Sequence, residues 1–174
     1  VKLQIEKWER WFLYASVVML AVFMVAIFAS IGEAGIHLPT DEDQIDPNEL
    51  NFDVHDANPV PFNDLGSRAY RGVEEGIDWE VVLLAKAWQF NDGSGELVPK
   101  VTVPAGATVE FVVTSVDTIH GILISNVAVN AMVIPGQITR VTAEFDEPGV
   151  YDIICHEFCG LLHHNMYAQV EVVG

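Results

Sequence analysis

Cys155-His-Glu-Phe-Cys159-Gly-Leu-Leu-His163-His-Asn-Met166 is the stretch from which the rest of the chain is best understood. It holds the chain's only two cysteines together with histidine and methionine at short, fixed offsets. Thiolate, imidazole and thioether donors favour copper over magnesium or calcium, because soft sulfur matches a soft, redox-active ion. A mononuclear blue-copper site needs one thiolate, so the second leaves room for two metals. Cysteines four positions apart can both face inward from one loop, and each sulfur has lone pairs enough to bridge. His163 follows four positions later and Met166 three after that. A loop folded around a metal pair needs one further donor from a distant strand. His120, in Ser115-Val-Asp-Thr-Ile-His120-Gly, stands at the end of a strongly alternating run and supplies it.

The frame around these residues reads as β structure. Val109, Phe111 and Val113 alternate with Glu110, Val112 and Thr114; Val141, Ala143 and Phe145 alternate with Thr142 and Glu144; Ala168, Val170 and Val172 alternate with Gln169 and Glu171. Pro104-Ala-Gly106, Pro135-Gly136 and Glu147-Pro-Gly149 punctuate the runs. Residues 79–174 therefore predict roughly seven or eight short strands, and a β-sandwich or Greek-key barrel is the default architecture. No internal repeat, low-complexity tract or phosphate-cradling glycine loop is present. Nor does any nucleophile lie beside a base in a recognisable motif, so the chain by itself predicts no bond chemistry.

At the other end, Trp11 to Ile31 contains no Asp, Glu, Lys or Arg. As a helix rising about 1.5 Å per residue, it spans a hydrocarbon core of roughly 30 Å. A transmembrane helix over residues 11–32 is the expectation, with a cleaved signal peptide as the competing reading. Lys2, Lys7 and Arg10 precede the span and no basic residue follows until Arg68. The positive-inside bias thus puts residues 1–10 in the cytoplasm of a single-pass cell-membrane protein and everything after the span outside. All but Glu6 and Glu9 of the 25 acidic residues follow the span, against Arg68, Arg71, Lys86, Lys100 and Arg140, and the net charge is -17. Such a surface repels nucleic acid. It suits either steering of a cationic partner or solvation in a saline habitat. Residues 33–78, with Pro39, Pro47, Pro59, Pro61 and an acidic run, read as an extended, solvated linker with one short helix near Asp64 to Val73. His37 and His55 within it read as ordinary exposed histidines.

The run Cys-x-Glu-x-Cys-Gly-x-x-His-x-x-Met, preceded by Asp-x-x-His-Gly and by Val133-Ile-Pro-Gly136, resembles the dinuclear copper A domain of cytochrome c oxidase subunit II. The single span and small domain are similar to subunit II of the B-type (ba3-like) haem-copper oxidases, whereas the A-type subunit has two spans. The resemblance covers the helix and the residues from about 79 onward, and implies an all-β, cupredoxin-like Greek-key domain at 79–174. It implies that Cys155 and Cys159 bridge two copper ions and that His120 and His163 bind one each. Met166 is then the weak ligand on the copper held by His120, and the backbone carbonyl of Glu157 binds the other. His156 and His164 fall outside this register. Trp88 falls where the family has an aromatic near the face at which electrons arrive, although an aromatic there also serves as core. Asp117 either orients the His120 ring from behind or caps the strand end as a turn residue. One departure is the run Gly121-Ile-Leu-Ile, where many members carry an aromatic shortly after the first histidine.

The implied role is the electron-accepting subunit of a proton-translocating terminal oxidase. It would take single electrons from cytochrome c or a blue-copper protein and pass them to haem in subunit I, where oxygen is reduced. A copper A-containing nitric oxide reductase and a membrane-anchored mononuclear blue-copper carrier are the alternatives. A Cys155–Cys159 disulfide leaves His163 and Met166 unexplained, and a zinc site has no need of Met166.

Overall fold

A computed structural model of the chain describes residues 6–33, 43–53, 58–72 and 75–174. His37 and His55 lie outside the described residues. The first of two compact units contains helix α1, Lys7–Glu33. From Trp11 to Ser30 its side chains are exposed and almost all apolar on every side, the pattern of a helix whose surroundings are not water. Ser16 and Ser30 do not break that pattern: their hydroxyls donate to the carbonyls of Phe12 and Ala26 at 2.9 and 2.8 Å. Lys7–Ser30 is long and apolar enough to cross a membrane.

The second unit is a two-sheet β-sandwich, the fold class that the alternating runs predict. Its strands are β1 (Gly66–Ala69), β2 (Trp79–Lys86), β3 (Gln89–Asn91), β4 (Lys100–Pro104), β5 (Thr108–Ser115), β6 (His120–Ile124), β7 (Val129–Val133), β8 (Thr139–Glu144), β9 (Gly149–Ile154) and β10 (Tyr167–Val173). One sheet runs β1-β2-β5-β8 with β3 also on β2, and the other β4-β10-β9-β6-β7. Pairing is antiparallel except for β2 with β5 and β4 with β10. The short β3, which folds back onto β2 around Ala87-Trp88, is the strand that the sequence pattern is least able to announce.

Between the sheets, alternation sends Val81, Leu83, Phe111, Val113, Ile122 and Ile153 inward, all with no more than traces of exposure. Phe111, Phe145 and Tyr151 form an edge-to-face chain, with centroids 6.2 and 5.1 Å apart. Cys155, Cys159 and Met166 belong to this same core and close one end of it. β9 delivers Cys155, β10 starts just after Met166, and β6 begins on His120. Three strand ends therefore converge where the metal-type residues lie.

The segment expected to be a solvated linker is, where described, part of the sandwich. Residues Gly66–Ala69 form β1 on β2 and not the expected short helix. Phe52 and Phe62 pack on Val82, Leu84 and Val112, which point away from the main core. The physical reason is in β2 itself: Val81-Val-Leu-Leu-Ala85 is apolar on both faces, so one face would be bare without a cover. Backbone bonds stitch the cover down, with Ile45 N–H donating to Gly136 O at 3.2 Å and Ile138 N–H to Asp43 O at 2.6 Å. Phe62 is fully buried, so Phe62→Ala should cost about 3–5 kcal/mol. Leu97→Ala, at a site 82% exposed, should change stability by less than about 0.5 kcal/mol. Denaturant titration of the full chain in detergent checks this, and equal small effects at both positions would restore the linker description.

Candidate metal centre

The loop from Cys155 to Met166 is drawn shut by its own backbone. Cys155 N–H donates to Met166 O at 3.1 Å, and a 3-10 turn at His163–Asn165 is closed by Met166 N–H on His163 O, also 3.1 Å. Gly160 adopts φ 118°, which favours glycine, and a Cβ there would sit 3.0 Å from Trp88 Nε1. Trp88, 37% exposed, thus lies on the backbone of the residue next to Cys159.

Inside the loop the two sulfurs are 3.8 Å apart, too far for a disulfide of about 2.05 Å, and both cysteines are free. Cys155 Sγ lies 3.8 Å from His120 Nδ1 and 3.3 Å from the carbonyl oxygen of Glu157. Cys159 Sγ lies 3.6 Å from His163 Nδ1 and 3.8 Å from Met166 Sδ. The donor atoms of His120, Cys155 and Cys159 all fall within 4.8 Å of one another. His163 reaches the group through Cys159 and is only partly buried, its ring edge-on to exposed Phe158 at 5.9 Å. His164 is exposed, and His156 turns its Nε2 to the carbonyl of Ala131 at 3.3 Å.

Behind His120 stands Asp117. Its Oδ1 is 2.9 Å from His120 Nε2, and its Oδ2 accepts the Ala87 N–H at 2.8 Å. The carboxylate also accepts the Thr118 N–H at 2.7 Å, so one side chain both caps the strand end and orients the imidazole. In the neutral ring with Nε2–H directed at the carboxylate, the lone pair of Nδ1 faces the sulfurs; in the protonated ring Nδ1 donates to Cys155 instead.

The electrostatics separate the two thiols. Burial opposes ionisation of Cys155, but hydrogen bonds from His120, the Gly121 N–H, His163 and Cys159 outweigh it and bring the thiol down to about 6. For Cys159, burial and then the negative charge on Cys155 push it up to about 12. His120 is raised despite its burial, because Cys155 and Asp117 both accept from it.

Two soft sulfurs, a thioether, two imidazoles and a carbonyl around one small volume fit copper by donor chemistry. A family described as cytochrome c oxidase subunit II, periplasmic domain, matches residues 56–173. The chain belongs to the cytochrome c oxidase subunit II family. Among its relatives, a cytochrome c oxidase subunit 2 of Thermus thermophilus is 31% identical over 168 residues, 95% of this chain and 91% of that one. A second from the same organism is 42% identical over 72 residues, 41% of this chain and 53% of that one. A solved structure described as a heme-copper terminal oxidase dimer aligns at TM-score 0.62 and 27% identity, covering 96% of this chain and 100% of that chain. A subunit II of this family is one part of a larger haem-copper oxidoreductase complex, so this chain has other oxidase subunits as partners. Its apolar helix and periplasmic-type domain fit a single-pass membrane protein.

Sequence reasoning did not single out Gly160, Ala87, Gly121 or Ala131, which touch the site through backbone atoms that carry no side-chain signal. Only Gly160, directly after Cys159, and Gly121, directly after His120, had a cue in their position. In the metal-free chain one thiol should ionise with a midpoint near pH 6, the thiolate fraction rising as pH rises, while the second stays protonated past pH 9. Thiolate absorbance during a pH titration of the copper-free full chain measures this, with Cys155→Ser abolishing the low-pH step.

Proposed function

We propose that this chain is the subunit through which electrons enter a membrane-bound haem-copper terminal oxidase. The observation that carries the reading is the pair of buried sulfurs 3.8 Å apart, each with its own imidazole. Cys155 and Cys159 would hold two copper ions between them, His120 and His163 one each, with Met166 and the Glu157 carbonyl as weaker donors. Bound there, a copper pair supplies a one-electron couple whose charge is spread over two ions.

The chain's own part is to hold still. Three strand ends fix the donors, Asp117 fixes the His120 ring, and the Cys155 to Met166 backbone bond closes the loop. A site so constrained changes geometry little when one electron arrives, which keeps the reorganisation cost of transfer low. Trp88, half-exposed and resting on Gly160 beside Cys159, is the proposed contact for the electron donor, cytochrome c or a blue-copper protein. Electrons accepted by this chain would pass to haem in subunit I, where oxygen is reduced. Helix α1 would cross the cell membrane with its amino end in the cytoplasm, favoured by Lys7 and Arg10 before the span.

Loading the detergent-solubilised full chain with copper tests the reading. Two coppers per chain, with an electron paramagnetic resonance spectrum of one unpaired electron shared between two nuclei, is the expected result. His120→Ala should abolish that spectrum and cost roughly 10-fold or more in copper affinity. One copper with a four-line pattern would favour a mononuclear blue-copper carrier, and zinc alone would sink the proposal.

A further inference from the structure

His156 follows Cys155 directly, yet it turns away from the sulfurs. β6 and β9 pair antiparallel at Leu123 with Ile154 and Ile124 with Ile153, and continuing that count brings Gly121 opposite His156. Strand side chains alternate, so where His120 and Cys155 face the core, the residue after each faces the outside of the same sheet. The His156 ring lies flat on Gly121 at that outer face: a Cβ on Gly121 would stand 2.6 Å from both Cδ2 and Nε2 of the imidazole. Nε2 donates to the carbonyl of Ala131 on β7 at 3.3 Å. The ring thus bridges the end of β9 to the β6–β7 hairpin. Its Nδ1 is 3.7 Å from Glu157 Oε1, on its own loop.

What this contact braces is the Gly121 backbone, one residue after His120, whose amide is directed at Cys155 and favours its thiolate. A hydrogen bond to a metal-bound thiolate draws electron density from the sulfur and favours the reduced, more electron-rich site, which raises the potential. We propose that His156 is a positioning residue for the copper centre: pinned to Ala131 and packed on the bare face of Gly121, it holds the Gly121 N–H on Cys155 and so sets the site's potential without touching metal. The inference rests on the copper-pair reading. Gly121 is required because any side chain there would displace the imidazole.

The test compares wild type, His156→Ala, His156→Gln and Gly121→Ala, each as the copper-loaded full chain in detergent, by midpoint potential, electron paramagnetic resonance and copper retention against a chelator. Glutamine reaches about as far as the imidazole and keeps a donor for Ala131. The potential should fall in His156→Ala and in Gly121→Ala, with copper held roughly 10-fold less tightly, and His156→Gln should stay close to wild type. Wild-type potential and spectrum in His156→Ala overturn the inference while leaving the copper pair intact. Should His156→Ala fail to fold, Gly121→Ala decides, and an unchanged potential there overturns it equally. A wild-type chain that takes up no copper pair sinks the reading and this inference together.

Discussion

Two thiol sulfurs buried 3.8 Å apart cannot both carry negative charge unless a cation lies between them. That constraint organises the whole of the loop from Cys155 to Met166. In the metal-free chain the hydrogen bonds of His120, Gly121 and His163 favour one thiolate, and that charge then keeps the neighbouring thiol protonated. One thiol is thereby disposed to ionise and the other to keep its proton until a cation lies between them. A site that must accept and lose single electrons gains from this. Its donors are set by strand ends and backbone bonds before any metal is bound, so little has to move afterwards.

The same economy of movement explains the cover over the outer face of β2 and β5. Phe52 and Phe62 make the β1-β2-β5-β8 sheet a buried middle layer, stiffening β5, whose far end leads through Asp117 to His120. Each basic residue after the helix is drawn into this framework. Arg68 pairs with Glu80, Arg140 with Glu110 at 3.2 Å and Asp43 at 3.5 Å, Arg71 with Asp64 at 3.7 Å, and Lys100 with Glu171 at 3.8 Å. Lys86 sits over the Phe52 ring, 5.2 Å from its centroid. With the cations engaged internally, the large acidic excess is not neutralised within the chain. Its self-repulsion is what dissolved salt or a cationic partner relieves.

Much of this was legible in the sequence, for identifiable reasons. Cysteine, histidine and methionine at loop spacing carry chemistry in their side chains, and the alternation around Phe111 and Val170 reports a face directly. The apolar helix reports itself by length. Within the expected linker, residues 33–78, the described stretches 43–53 and 58–69 lie on the sandwich although prolines and acids dominate their local pattern, because the information that they must pack lies elsewhere, in the two-faced run Val81 to Ala85. His156 falls outside the ligand register, and register along the chain does not reveal that it meets Gly121 on the neighbouring strand. Asp117 offered two readings, orienter or turn residue, because sequence cannot tell that one carboxylate has oxygens enough for both.

Copper-edge X-ray absorption of the loaded full chain tests the central claim most directly, since it reports which atoms surround the metal and whether a second metal is among them. Sulfur and nitrogen neighbours are expected together with a copper–copper feature that disappears in Cys159→Ser. A spectrum with sulfur and nitrogen neighbours and no second copper, unchanged by that substitution, would contradict it.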